Sequence, residues 1–304
     1  MTDSPLRIAV VGSTMIDLVA YAPRMPGPGE TIVGDRFQMG FGGKGANQAV
    51  MARNFGAEVW MVNCVGDDAY GTMARDNLSA RGVDTTFVHQ VPGSSGVAPI
   101  WVEPDGTNRI IIVPGANHAL TAEQAVEAVE AIRPNVVIGQ FEIPQEVTAA
   151  AFGAARAGGA TTILNPAPAA PIDPALLEAC DWVAPNEVEF ALMFDRAESD
   201  QSLVEVATTL GCRLVVTLGA AGCALVEGGR VHRITAPEVV AIDTTGAGDA
   251  FVGTFAFGLG MGLGDHAAAS LANQSAAASV TRPGTQTSFP SPDEARRLLE
   301  ALAH

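Results

Sequence analysis

Residues 6–11, apolar at every position except Arg7 and closed by Gly12, have the pattern of a strand buried on both faces. Two short strand patterns, 17–22 and 31–39, flank a turn-rich loop at 23–29. A helical period runs from Lys44 to Phe55, with Gly56 placed to end it. Residues 58–65 read as a strand and 68–81 as a helix stopped at Gly82. Residues 96–102 and 109–113 flank Pro104-Asp105-Gly106-Thr107, the composition of a hairpin turn. Beyond Gly115 the pattern changes. Thr121 and Gln124 have capping-box spacing and open a helix to about Ile132. Strands are then predicted at 136–140, 161–164, 182–184 and 214–218, with helices near 145–157, 187–194 and 203–210 and a hairpin at 224–234. An apolar, strand-like run leads into Asp243, and an apolar helix follows from Ala250 to Leu259. Helices at 265–280 and 292–303 close the pattern. This alternation implies βαβ units, hence a parallel sheet with helices on both faces. The strands near 15–40 and 96–113 break the rhythm and predict a separate small sheet. With no repeat, low-complexity tract or obvious linker, the chain reads as one α/β domain spanning 1–304.

Composition narrows the function classes. The 304 residues are 48% hydrophobic and 16% charged, which excludes disorder. The formal net charge of −16 argues against nucleic-acid and anionic-membrane partners, since both require a basic surface. A bound phosphate would have to be held by local geometry. Cys64, Cys180, Cys212 and Cys223 show no C-x-x-C spacing and read as buried thiols of a reducing, cytoplasmic environment. The polar residues 1–7 do not read as a signal peptide, and no apolar run is long enough to span a bilayer.

The densest chemical signal is Asp243-Thr244-Thr245-Gly246-Ala247-Gly248-Asp249 at the start of the apolar helix. Glycines at a helix N-terminus expose backbone N–H groups beside the positive end of the helix dipole, a setting for an anion. Asp249 sits in the same turn. It is either a base beside a phosphate or a helix cap, and the stretch alone supports both. A second glycine-rich segment, Gly40-Phe41-Gly42-Gly43-Lys44-Gly45-Ala46-Asn47-Gln48-Ala49, contains a literal G-x-G-x-x-G. It is not on the first strand, and Glu58 opens a strand instead of ending one, so a dinucleotide fingerprint does not fit. Gly45 after Lys44 rules out a P-loop. There remains a helix start where Lys44 and Asn47 offer donors to a polyhydroxylated ligand or a phosphate.

Weaker signals flank these two. Asn186 and Glu189 form N-x-x-E, which reads as a capping box or as a carboxylate steadying hydrated Mg²⁺. Gln140-Phe141-Glu142 and Asn165-Pro166-Ala167 lie at carboxyl ends of predicted strands, where open α/β sheets bind ligands. Taken singly, each reads as exposed loop polarity. Thr217-Leu218-Gly219 ends the last core strand and could bring backbone close to a nucleotide. The five histidines lack zinc or triad spacing and G-x-S-x-G is absent, which leaves metal and serine hydrolysis without support.

Taken together, Gly42-Gly43-Lys44-Gly45-Ala46-Asn47-Gln48-Ala49, Asn186-x-x-Glu189 and Asp243-Thr-Thr-Gly-Ala-Gly-Asp249 resemble the ribokinase family of carbohydrate kinases, in order and spacing, from about Ile8 to Ser288. The resemblance implies a doubly wound, mostly parallel α/β sheet flanked by helices, with a small β-sheet lid that often forms a dimer interface. It implies that Asp249 takes the proton of a sugar hydroxyl while the N–H groups of Gly246, Ala247 and Gly248 stabilise the transferring phosphoryl group. Asp17, Gly43, Lys44, Asn47 and Glu142 would hold the sugar. Asn186 and Glu189 would serve the ATP phosphates and Mg²⁺, and Thr217, Gly219, Gly222 and Asn273 the nucleotide. Asp243, Thr245, Ser279, Arg282, Gly284 and Ser288 would frame an activating K⁺, mostly through backbone carbonyls.

The chain departs from the family at one position. Ribokinases usually end the first strand Gly-Ser-x-Asn-x-Asp, whereas this chain reads Gly12-Ser13-Thr14-Met15-Ile16-Asp17. A thioether cannot replace an amide as a hydroxyl partner, so Met15 suits a sugar with one hydroxyl fewer. Met15, Ser95-Gly96-Val97-Ala98-Pro99-Ile100 and Gly284-Thr285-Gln286-Thr287-Ser288 also resemble the deoxyribokinase branch. The expectation is a kinase for O5 of 2-deoxy-D-ribose, with ribose second and a nucleoside third.

Overall fold

The computed structural model describes residues 5–302. A nine-stranded sheet forms its centre: β1 (Arg7–Val11), β4 (Glu58–Gly66), β5 (Asp84–Val91), β8 (Val136–Gln140), β9 (Thr161–Asn165), β10 (Trp182–Val183), β11 (Arg213–Thr217), β12 (Cys223–Glu227) and β13 (Arg230–Ile234), in the order β13-β12-β11-β10-β9-β8-β1-β4-β5. β4 and β5 extend one way from β1, and β8 to β11 the other, all parallel; β12 and β13 add antiparallel at one edge.

The chain therefore reverses its winding between β1 and β8. Their carboxyl ends form the crevice where such sheets bind ligands. In β1, Ile8 and Val10 join the core on one face of the sheet and Ala9 and Val11 the core on the other, which explains why positions 8–11 are all apolar.

Helices cover both faces. One layer holds α1 (Lys44–Asn54), α2 (Ala69–Ala80), α8 (Ala247–Gly260), α9 (Asp265–Ser279) and α10 (Pro292–Leu302); the other holds α3 (Ala122–Ile132), α4 (Gln145–Ala157), α5 (Pro174–Glu178), α6 (Glu187–Phe194) and α7 (Asp200–Leu210). Thr121 and Gln124 do form the expected capping box of α3. Close packing of α8 on α1 depends on Gly253, where an added Cβ would lie 2.6 Å from the Gln48 carbonyl oxygen and 2.9 Å from Met51 Cβ. Trp182 meets Phe255 edge-on at 5.0 Å beneath this layer.

A second sheet of four strands, β3-β2-β6-β7, is built from β2 (Met15–Tyr21), β3 (Arg36–Gly42), β6 (Val97–Val102) and β7 (Asn108–Ile110). It is the separate sheet expected from the off-rhythm strands. Its entry is fixed by the buried Asn117, whose Oδ1 accepts from Thr14 N (2.9 Å) and whose Nδ2 donates to Thr14 O (2.9 Å).

Several boundaries differ from expectation. The strand pattern at 31–39 begins only at Arg36, and that at 109–113 stops at Ile110. β5 and α5 were not anticipated. β5 is an edge strand whose interspersed polar residues hide its period, and α5 is a single turn opened by Asp173, which accepts from Ala175 N at 2.8 Å. The strand-like run before Asp243 is not a strand. Val240 is 85% exposed, and these residues form loop backbone whose apolar side chains Val239 and Ala241 line a cavity. The helix expected over 292–303 extends one residue beyond the described chain; α10 is described to Leu302.

Candidate active site

Three local structures meet at the crevice. The first is the turn into α8. Its N-cap is Gly246 at φ 79°, where a Cβ would lie 2.5 Å from Thr285 Cγ2, so glycine is required there. No side chain caps α8, and this removes the capping alternative for Asp249. Instead the Asp249 carboxylate, only 6% exposed, turns toward α1. Its Oδ2 accepts from Asn47 Nδ2 (2.8 Å) and its Oδ1 from Gln48 Nε2 (3.0 Å). Around it the N–H groups of Gly246, Gly248 and Asp249 have no protein partner among the described residues, while Ala247 N donates to Thr244 O at 3.3 Å. The free backbone N–H groups expected at this helix start are thus present, with the Asp249 N–H freer than that of Ala247. A Cβ on Gly248 would meet nothing within 4 Å, so the turn faces open space.

The second structure is the start of α1. Its N-cap, Gly43 at φ 87°, carries no side chain, and Glu142 supplies the missing acceptor. Glu142 Oε2 accepts from Lys44 N at 2.9 Å and from the Ser13 hydroxyl. Burial acts to lower the Lys44 ammonium, but Asp249, Glu142 and Glu189 outweigh it and hold its pKa above the ordinary value. Lys44 therefore stays protonated among carboxylates.

The third is β2. Met15 and Asp17 alternate onto one face of the small sheet, opposite Gly42 and Gly40 of β3. Met15 is 3% exposed. The Asp17 carboxylate has no hydrogen-bond partner among the described residues, and an added Cβ at Gly42 would come within 2.5 Å and 2.6 Å of its two oxygens. Burial first, then the charges of Glu142 and Asp249, push its pKa up to about 6. Asp17, Glu142 and Asp249 thus share one electrostatic site with Lys44.

Two cavities adjoin this centre. A chamber of about 130 Å³ is lined by Lys44, Asn165, Asn186, Glu189, Thr217, Gly246, Gly248 and Asp249. A larger, mainly apolar cavity of about 650 Å³ shares Asn186, Thr217 and Gly248 with it and continues past Gly219, Gly222, Ala236, Val239, Phe251, Asn273, Ala276 and Val280. The pair suits an extended ligand with a flat apolar end and an anionic end beside Asp249. Asn273 Nδ2 donates to Ile234 O at 2.8 Å, so this amide anchors the cavity wall. Asn186 and Glu189 form a complete capping box, Glu189 N to Asn186 Oδ1 at 2.7 Å and Asn186 N to Glu189 Oε2 at 2.8 Å. Burial raises the Glu189 pKa although Asn186 N–H and Lys44 favour its charge. The cap and a place in the chamber wall are compatible roles. Among the described residues no three His, Cys, Asp or Glu side chains are grouped to hold a metal, so a divalent ion here would lean on ligand phosphates and water.

The segments expected to frame a monovalent cation are also brought together. Asp243 Oδ1 accepts from Thr245 N (2.9 Å) and Oδ2 from Gly284 N (2.8 Å). These bonds hold its carboxyl below the usual range despite partial burial. Among the described residues the carbonyls of Asp243, Thr245, Arg282 and Gly284 accept no hydrogen bond. Uncharged oxygens without donors suit K⁺. Arg282 turns away to Glu294, at 3.2 Å, and the hydroxyls of Ser279 and Ser288 are occupied with Ala276 O and Thr285 O.

Sequence reasoning missed the buried amides behind Asp249. Gln140, Glu142 and Asn165 are buried, not exposed loop polarity. Gln140 Nε2 donates to Gln48 Oε1 (2.6 Å), and Gln48 Nε2 is shared between Asn165 Oδ1 (3.0 Å) and Asp249 Oδ1. Two amides at consecutive positions of an alanine-rich helix were the available signal.

Comparison with known proteins matches residues 6–292 to the profile described as pfkB family carbohydrate kinase. The chain is 37% identical to the deoxyribokinase of Salmonella typhimurium over 303 residues, covering 96% of this chain and 98% of that protein. It is 38% identical to the ribokinase of Bacillus subtilis over 294 residues, covering 96% and 99%. The structure of Arabidopsis thaliana ribokinase complexed with ribose and ATP superposes with a TM-score of 0.87 at 29% identity, covering 98% of this chain and 99% of that one.

Proposed function

The chain belongs to the pfkB family of carbohydrate kinases, and from that premise we propose an ATP-dependent transfer of the γ-phosphoryl group to O5 of 2-deoxy-D-ribose. Pentose kinase of the ribokinase type, a phosphotransferase with an alcohol acceptor, is the established part of this reading. The choice of sugar is not decided by relatedness, because deoxyribokinase and ribokinase relatives match almost equally well. The observation that carries it is Met15, buried on the same face as Asp17.

In this mechanism the sugar lies between Asp17, Glu142, Asn47 and the Gly43 backbone, and Lys44 spans sugar and phosphate. Asp249, held by Asn47 and Gln48, accepts the O5 proton as the oxygen attacks phosphorus. The unpartnered N–H groups of the α8 turn receive the charge of the phosphoryl oxygens, so positioning and electrostatics do most of the work. The 650 Å³ cavity takes adenine and ribose of ATP. Mg²⁺, near Glu189, would neutralise phosphate charge, and K⁺ among the loop carbonyls would tighten the turn. The small sheet acts as the lid over the sugar. Its exposed Phe37, Met39 and Ile110, with Ile111 and Ile112 just beyond β7, support pairing with a second copy of this chain. We further read 1–304 as one kinase domain with the lid strands inserted, working in the cytoplasm. Among the described residues no helix is long and apolar enough to cross a membrane.

The decisive experiment is steady-state kcat/KM for deoxyribose and ribose at fixed ATP, with wild type and Met15→Asn. Deoxyribose should lead in wild type, and the ratio should move toward ribose in the variant. A clear ribose preference in wild type, or an unmoved ratio, would overturn the role of Met15. Phosphorylation of inosine or adenosine ahead of either sugar would favour a nucleoside kinase instead.

A further inference from the structure

Asp249 is the end of a longer chain of side chains, and every link points the same way. Arg81 Nε donates to Asn77 Oδ1 (3.3 Å), Asn77 Nδ2 to Gln286 Oε1 (2.9 Å), Gln286 Nε2 to Asn47 Oδ1 (3.0 Å) and Asn47 Nδ2 to Asp249 Oδ2 (2.8 Å). An amide has one donor end and one acceptor end, so each bond fixes which end the next amide presents. Without Gln286 the Asn47 side chain could turn its oxygen toward the Asp249 carboxylate, replacing an attraction with a repulsion. Gln286 is 4% exposed, in a setting where such a bond is strong and its loss is felt.

Gln286 is also fixed to the turn it serves. It lies two residues after Gly284, whose N–H donates to Asp243, and next to Thr285, whose methyl abuts Gly246. Arg81 Nη1 additionally donates to the Gln286 carbonyl at 3.4 Å. The 284–288 loop therefore touches the α8 turn at Asp243 and Gly246, and reaches Asp249 through Asn47.

We propose that Gln286 is a positioning residue that sets the orientation of Asn47 and, through it, of Asp249, so that the 284–288 loop and the catalytic carboxylate move as one unit. This rests on the reading of Asp249 as base. It adds that cation occupancy of the loop is read at Asp249 through Gln286.

The test is Gln286→Leu, which is of similar size and removes both the donor to Asn47 and the acceptor for Asn77. Its kcat should fall about tenfold, the worth of one buried hydrogen bond, with KM for ATP unchanged. Because Gln286 acts through Asn47, adding it to Asn47→Ala should cost nothing further. The fold-activation of kcat by K⁺ over Na⁺ should shrink in Gln286→Leu. Wild-type kcat in Gln286→Leu, or losses that multiply in the double variant, would overturn the proposal. Should Gln286→Leu fail to fold, Asn77→Ala reads the same chain one link out, with a smaller kcat loss that must vanish in the Asn47→Ala background. Asp249→Asn separates the two readings: if it retains activity, the base assignment fails whatever Gln286 does.

Discussion

Asp17 is the residue whose ionisation ought to be visible in sugar binding. Buried beside Glu142 and Asp249, it has a pKa of about 6 in the folded protein without ligand, against 3.8 for an ordinary aspartate. It is therefore about nine-tenths ionised at pH 7 and only about one-tenth ionised at pH 5. A carboxylate accepts two hydroxyl donors where a carboxylic acid competes with its own proton. Sugar affinity, measured by calorimetry without ATP so that the transfer step does not intrude, should weaken about tenfold from pH 7 to pH 5. Stability should move the opposite way. The folded state holds the Asp17 proton more tightly than the unfolded chain does. The contribution of this group is therefore fully present below about pH 4 and is lost as pH rises through about 6. Asp17→Asn should bind sugar more weakly at pH 7 and show neither trend. Equal sugar affinity at pH 5 and pH 7 in the wild type would refute the reasoning, as would an unchanged pH dependence in Asp17→Asn.

Three further outcomes follow from the geometry. Asp249→Asn should lower kcat by about 10³-fold with sugar binding still measurable, since general-base contributions run from about 10² to 10⁴; stopped turnover with intact binding is the pattern to look for in paired kinetics and calorimetry. Gly253→Ala places a Cβ 2.6 Å from the Gln48 carbonyl oxygen, so chemical denaturation should show a loss of about 1–3 kcal/mol. Its kcat should fall too, because α1 carries the two amides that hold Asp249. Replacing K⁺ by tetramethylammonium should lower kcat, and Asp243→Ala should abolish the difference between the two ions; equal rates in both salts would remove the cation from the scheme.

Much of the fold was legible because burial writes itself into period. Residues 8–11 are all apolar because Ile8 and Ala9 enter different cores. Gly43 and Gly246 marked the two helix starts that converge on the site. Apolarity misled where its cause was different: 239–242 is apolar because it borders a cavity, and no strand pairing stands behind it. β5 was hidden for the converse reason, since an edge strand alternates with solvent. Asp249 carried no mark of its partners. Gln48 lies 201 positions away in sequence, and only the packing of α8 on α1 brings the two together. Polarity inside a helix can be read from a sequence, but the direction in which an amide donates depends on neighbours that only the fold supplies.

The cluster of Asp249, Glu142 and Glu189 around Lys44, with Asp17 coupled to the first two, has a consequence for turnover. A sugar arrives uncharged and meets no net repulsion from these carboxylates. Under the proposed reaction it leaves with a phosphate of about two negative charges, formed within reach of the same groups in a protein of net charge −16. The site that accepts the substrate therefore repels what it makes. Departure of the sugar phosphate is assisted by electrostatics, and high salt should slow that release by screening it.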